Sequence, residues 1–92
     1  MNFEWDDDKA NANFKKHGVS FTEAREAFLD ENVIEELEDS IFYGEDRWKI
    51  TGSIGNRLIT VIYTLRDVKV RIISARKATA HERQDYHFQT RS

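Results

Sequence analysis

Residues 57–89 read RLITVIYTLRDVKVRIISARKATAHERQDYHFQ, and two periodicities meet in them. Residues 57–65 are rich in Ile, Val, Thr and Tyr, side chains that suit a pleated, half-buried surface, and predict a strand. Arg66-Asp67 supplies a tight turn, and residues 69–75 return as a second strand. The period then lengthens. Thr79-Ala80-His81-Glu82 is a capping box, a hydroxyl three residues ahead of a carboxylate, and it predicts a helix that carries Tyr86 and ends near Gln89.

Upstream, Gly55-Asn56 is a hairpin turn joining residues 57–65 to a strand at 48–54, and residues 33–37 give a further, shorter strand. The resulting meander is antiparallel, with four or five strands if the alternating Phe3-Glu4-Trp5 also joins. Asp6 or Asp7 offers an N-cap for a helix running to His17, and Gly18 its C-terminal stop. Ser20-Phe21-Thr22-Glu23 is a second capping box, opening a short helix with Ala24, Ala27 and Phe28 on its apolar stripe. Phe14, Phe21 and Phe28 recur every seven residues and are expected to pack on the sheet. Trp5 and Trp48 are expected in the core or at a sheet edge. The fold class is α+β: an N-terminal helical hairpin, an antiparallel sheet and a C-terminal helix, with all helices on one face.

The chain has 92 residues, 39% of them hydrophobic, which suits one domain over 1–92 with one thin core. Absence of cysteine excludes disulfides, thiolate zinc sites and cysteine nucleophiles. The opening Met1-Asn2-Phe3-Glu4-Trp5-Asp6-Asp7-Asp8 is acidic where a secretory signal is basic and then apolar, so a cytoplasmic location is expected. No apolar run approaches the roughly 20 residues a membrane span needs. The net charge of −3 conceals a polarity along the chain. Residues 1–46 hold four Lys and Arg against fourteen Asp and Glu, whereas residues 47–92 hold ten against three. If the two halves occupy separate faces, the basic one attracts a polyanion such as nucleic acid; if they lie side by side, they neutralise each other.

Among chemistries, metal catalysis is disfavoured, because His81 and His87 are six apart rather than at ligand spacing, and no cofactor is indicated. No nucleophile elbow or phosphate-binding glycine loop occurs. Arginine, lysine, histidine and carboxylate remain. Arg71, Arg76, Lys77 and Arg83 gather where a strand hands over to a helix N-terminus, a place of unpaired N–H groups suited to phosphate. Simple pleat counting sends Arg71 and Arg76 to opposite faces. Arg57 and Arg66, at the two ends of one strand, cannot reach one phosphate. The corner has the parts for metal-free RNA cleavage: a base for the 2′-hydroxyl, cations for the phosphorane oxyanions and an acid for the leaving 5′-oxygen. Structurally, Glu82 is first a capping carboxylate, His81 a helix-surface residue, and Tyr86 equally suited to sealing a sheet edge.

Phe3-Glu4-Trp5-Asp6, Lys9-Ala10, Asn13 and Lys16-His17-Gly18-Val19-Ser20-Phe21, followed much later by Ile72-Ile73-Ser74-Ala75-Arg76-Lys77-Ala78-Thr79, Glu82-Arg83 and Tyr86, resemble the BrnT family of toxins. The resemblance implies a RelE-like fold and the toxin half of a type II toxin–antitoxin pair, an RNase that blocks translation. It also implies a BrnA-like antitoxin with a DNA-binding domain, the complex repressing its own operon through operator DNA. Lys16-His17-Gly18 matches the family's first motif, Arg57 the arginine before the central apolar strand, and Arg76, Lys77, Glu82 and Arg83 the second.

The resulting expectation is a metal-independent endoribonuclease. Arg57, Arg66 and Arg76 bind or stabilise phosphate, His81 or Glu82 is the general base, and Lys49, Arg71, Lys77, Arg83 and Tyr86 contact RNA. The acidic segment 35–46 is a candidate antitoxin surface. The rival reading is a non-catalytic interaction module that acts with a DNA-binding partner in autoregulation.

Overall fold

The computed structural model describes residues 1–38 and 46–90. The acidic segment's residues 39–45, singled out above as a candidate antitoxin surface, lie outside the described residues. Among the described residues, five strands form one sheet: β1 (Asn2–Glu4), β2 (Ile34–Glu38), β3 (Arg47–Ile54), β4 (Arg57–Arg66) and β5 (Lys69–Lys77), in the order β1-β5-β4-β3-β2. The meander β2 to β5 is antiparallel, as alternation predicts, but β1 pairs with β5 in parallel through Asn2 and Lys69, Phe3 and Val70, and Glu4 and Arg71. The sheet is therefore mixed.

Helix α1 (Asp7–His17) begins where Asp6 accepts the Lys9 N–H at 3.0 Å and stops at Gly18, whose φ of 70° is the left-handed conformation that glycine adopts without a Cβ clash. The helical hairpin expected next is not formed. Ser20 and Glu23 make their capping box, but α2 (Phe21–Ala24) is one turn long and runs directly into a 3-10 turn, Arg25–Leu29. This short piece packs backbone to backbone on β3: a Cβ on Gly52 would sit 2.5 Å from the Ala27 carbonyl oxygen. Glycine is required there by contact.

Val19, Phe21, Ala24 and Ala27 meet Ile50, Ile59, Val61, Ile72 and Ala75 in the core, with Trp5, Phe28 and Trp48 packed against it. Each fully buried Ile or Phe here contributes roughly 1.5–3 kcal/mol relative to exposure. Phe14, expected on the sheet, is 53% exposed instead, because α1 turns its neighbour Asn13 inward. The Asn13 amide donates to the carbonyls of Val19 and Ala75, at 3.1 and 2.8 Å, and accepts the Ala75 N–H at 3.2 Å.

The last helix, α3 (Ala80–Thr90), does not join the others. Its Glu82 bonds to Thr60 Oγ1 and Lys49, whereas Ile59, Val61 and Ile50, one residue away along β4 and β3, face α2 and the 3-10 turn. Neighbouring residues on a strand point to opposite faces, so α3 covers the reverse side of the sheet. The expectation of helices on one face is corrected accordingly. Tyr86 reaches around the sheet edge, donating to Asp30 Oδ2 at 2.6 Å while that oxygen accepts the Ser53 N–H at 2.7 Å. No helix among the described residues is long and apolar enough to cross a membrane.

Candidate phosphate-binding site on the reverse face

The register of β5 against β4 decides which cations share a face. Thr60 pairs with Arg76 and Ile62 with Ser74, but Tyr63 pairs with Ile72, so Ile73 is an extra residue, a β-bulge. The bulge reverses the pleat between its two sides. Arg71, opposite Thr64, and Arg76, opposite Thr60, consequently point to the same face, contrary to unbroken alternation. They are separated by four residue steps of β4, about 13 Å. Lys49, paired with Ile62, lies on this face between them, one strand beyond β4.

Glu82 is the organising group. Its carboxylate takes Arg76 Nη1 at 2.7 Å on one oxygen and Nη2 at 3.0 Å on the other, a bidentate pair. Lys49 Nζ stands 3.0 Å from Oε2, and Thr60 Oγ1 and the Thr79 N–H donate to Oε1 at 2.9 and 2.8 Å. Burial alone would raise the proton affinity of this carboxyl; the Arg76 guanidinium, the Thr79 N–H, Lys49 and Thr60 outweigh it and hold Glu82 well below the usual carboxylate range. The same bonds push Arg76 up, and Lys49 is pushed up despite its own burial by Glu82 and Glu36. A carboxylate so thoroughly satisfied is a weak proton acceptor, and its bonds hold Arg76 and Lys49 beside it.

The other predicted residues are dispersed. Arg57 lies on the helix-covered face, 2.7 Å from Glu23, and so cannot join Arg76. Arg66 ends β4 at the far tip, six residue steps or about 20 Å beyond Thr60. Lys77 is exposed at the end of β5, paired with Ile59 and hence on the helix side. Arg83 is exposed and donates to the Ala78 carbonyl at 3.3 Å. His81 projects from the first turn of α3 with 82% of its side chain exposed, its Nε2 3.3 Å from Asp85. Tyr86 is buried with its hydroxyl committed to Asp30, the sheet-edge role, and burial together with Asp30 pushes that phenol up to about 12. Among the described residues, no three His, Asp or Glu side chains gather as metal ligands would.

The two charged halves do not separate. Arg71 pairs with Glu4 at 3.0 Å, Arg57 with Glu23, and Lys49 with Glu36 at 3.3 Å, each joining a cation of the second half to a carboxylate of the first. The side-by-side arrangement prevails because β1 and β2 flank the basic strands β5 and β3. Sequence reasoning gave Asn13 no role and missed the bulge; the spacing Val70, Ile72, Ala75 of the core residues, two and then three, was its trace.

Comparison with curated proteins gives no match. A family model does match, covering residues 5–82, and its description is the ribonuclease toxin BrnT of type II toxin–antitoxin systems. The match spans Asp6 and the α1 cap through to Glu82, the whole sheet except β1 included, so this chain belongs to the BrnT ribonuclease toxin family, whose members are paired with an antitoxin.

Proposed function

We propose that this chain is a RelE-like, metal-independent endoribonuclease that inhibits translation, acts in the cytoplasm, and is neutralised by a BrnA-like antitoxin through which the complex reaches operator DNA. The observation that carries this reading is the convergence of Arg76 and Lys49 on one buried carboxylate, with Arg71 turned to the same face by the bulge at Ile73. A single strand of RNA laid along β4 would present phosphates more than one nucleotide apart to Arg71 and to the Arg76–Lys49 pair.

In the proposed reaction the 2′-hydroxyl attacks the adjacent phosphorus, the P–O5′ bond breaks, and a cyclic phosphate and a free 5′-hydroxyl result. Arg76 and Lys49 offer fixed donors to the charge that grows on the phosphoryl oxygens, where preorganised dipoles act most strongly. His81, exposed on the first turn of α3 and 3.3 Å from Asp85, is the group assigned to proton transfer. Purified protein incubated with RNA in the presence of chelator should cut it, and a folded Arg76→Ala variant should lose that activity. Growth should stop on induction of this chain alone and resume with the antitoxin. An uncut RNA pool together with unimpaired growth would favour the interaction-module reading, which the pairing of Arg71 and Lys49 with carboxylates already supports.

A further inference from the structure

The described residues contain two capping boxes, and they differ in one respect. Ser20–Glu23 and Thr79–Glu82 each pair a hydroxyl with a carboxylate across the first helical turn. Glu23 performs this task with its side chain 41% exposed, whereas that of Glu82 is 7% exposed and is, among the described residues, the one buried charged group. Capping therefore does not account for the burial of Glu82. Removing a carboxylate from water is unfavourable unless something compensates, and the compensation here is two cations drawn from strands on either side of β4.

We infer that Glu82 is a positioning residue, which locks Arg76 and Lys49 into one two-cation clamp for a phosphodiester and itself touches no substrate. The inference rests on the nuclease reading above and deepens it. Without the carboxylate the two cations would repel and swing apart. With it, the fork of Arg76 is fixed by two parallel bonds, and Lys49 is fixed between Glu82 and Glu36. The guanidinium has five N–H groups and the ammonium three, so both retain donors beyond those spent on Glu82. Arg76 and Lys49 side chains are 31% and 20% exposed, so these cations are not sealed beneath α3. The Thr51–Thr60 hydroxyl pair, 2.9 Å apart, supports the carboxylate from below.

Glu82→Gln is the decisive variant, because glutamine keeps the capping box while removing the charge. Cleavage of an RNA oligonucleotide, with its pH profile, is measured beside the 15N resonances of the Arg76 guanidinium and the binding of a non-cleavable 2′-deoxy analogue. The clamp predicts a kcat lower by roughly 10- to 100-fold, a KM that does not rise because the face gains net positive charge, unchanged limbs of the pH profile, and separate Arg76 Nη resonances in the wild type that merge in the variant. A variant that retains full kcat, or one whose pH profile loses its acid limb as a missing general base requires, would overturn it. If Glu82→Gln fails to fold, the double variant Thr51→Val/Thr60→Val removes the support without orphaning a hydroxyl; lower kcat without higher KM is again expected, and an unchanged kcat overturns the inference. A wild type that binds the analogue yet cuts no RNA would end the nuclease reading alone, and the guanidinium resonances would then decide the clamp.

Discussion

Asn13 and Ala75 bond to each other twice, the side-chain amide of one serving the backbone N–H and carbonyl of the other at 3.2 and 2.8 Å. The parallel strand β1 covers β5 only as far as Arg71, so among the described residues the rest of that edge has no strand beside it. Asn13 takes the place of a missing strand residue there and ties α1 to the sheet. Asn13→Ala should lower stability by about 2–3 kcal/mol, since both polar groups of Ala75 lose their partner in a buried site. Asn13→Asp, which keeps the acceptor but loses the donor, should cost as much. Urea unfolding of the two variants checks this, and a loss under 0.5 kcal/mol, the range of ordinary surface changes, would contradict it.

Replacing the arginines should separate the two faces of the sheet. Arg71→Ala is expected to weaken RNA binding a few-fold and to reduce the slope of log affinity against log salt by about 0.7, one phosphate's worth for a single strand. Arg57→Ala, which removes an ion pair on the opposite face, should leave cleavage intact and change stability by under about 1 kcal/mol. Salt titrations of oligonucleotide binding distinguish them, and equal effects from both variants would refute the face assignment.

Acid should unfold the protein partly through Glu82. Its carboxyl sits below its ordinary value of 4.5 when folded, so the unfolded chain takes up the proton first as pH falls. Stability from this group is fully present above that ordinary value and is lost progressively beneath it. Denaturant midpoints measured from pH 7 down to pH 3 should decline most below about pH 5, and Glu82→Gln should flatten that decline.

At the alkaline end the sign reverses. Tyr86 ionises at about 10 when unfolded and about 12 when folded, so its contribution is complete below pH 10 and disappears as pH rises toward 12. Tyr86→Phe should cost about 1 kcal/mol at neutral pH, the typical net worth of one hydrogen bond, and should reduce this alkaline loss. Phenolate absorbance of the wild type and variant, recorded across that range, tests the assignment.

At Gly52 even one methyl group is excessive. Gly52→Ala would place its Cβ 2.5 Å from the Ala27 carbonyl oxygen, backbone that cannot rotate away. A loss of about 1–3 kcal/mol is expected, typical of overpacking, with a lower melting temperature as the readout.

The antiparallel meander was readable because alternation, β-branched residues and turn glycines act locally. Predicted strand boundaries at 48–54 and 57–65 fall within a residue of Arg47–Ile54 and Arg57–Arg66. The helix α1 and both capping boxes were equally legible, their signals being contained in a few consecutive residues. What escaped depends on distant partners. β1 alternates whether it pairs in parallel or antiparallel, and a capping box starts a helix without saying which face of the sheet receives it. In the candidate site, the corner residues Arg76 and Glu82 were identified together, but Ile72-Ile73 offers two apolar residues where either could face the core. The bulge, and with it the shared face of Arg71 and Arg76, is settled only by the register against β4.

The pairing of Asn2, Phe3 and Glu4 with Lys69, Val70 and Arg71 joins the first strand to the last, and α1 is likewise fastened to Ala75. A ribosome making this protein releases its beginning long before the strand that receives it, and Glu82 emerges later still. Incomplete chains accordingly contain Lys49 but not the carboxylate that fixes it beside Arg76. The ion pairs that hold Arg76 and Lys49 together are thus formed only after residue 82 has been made. Chains truncated before and after residue 82 and released from the ribosome should differ sharply in protease resistance, with the shorter ones digested.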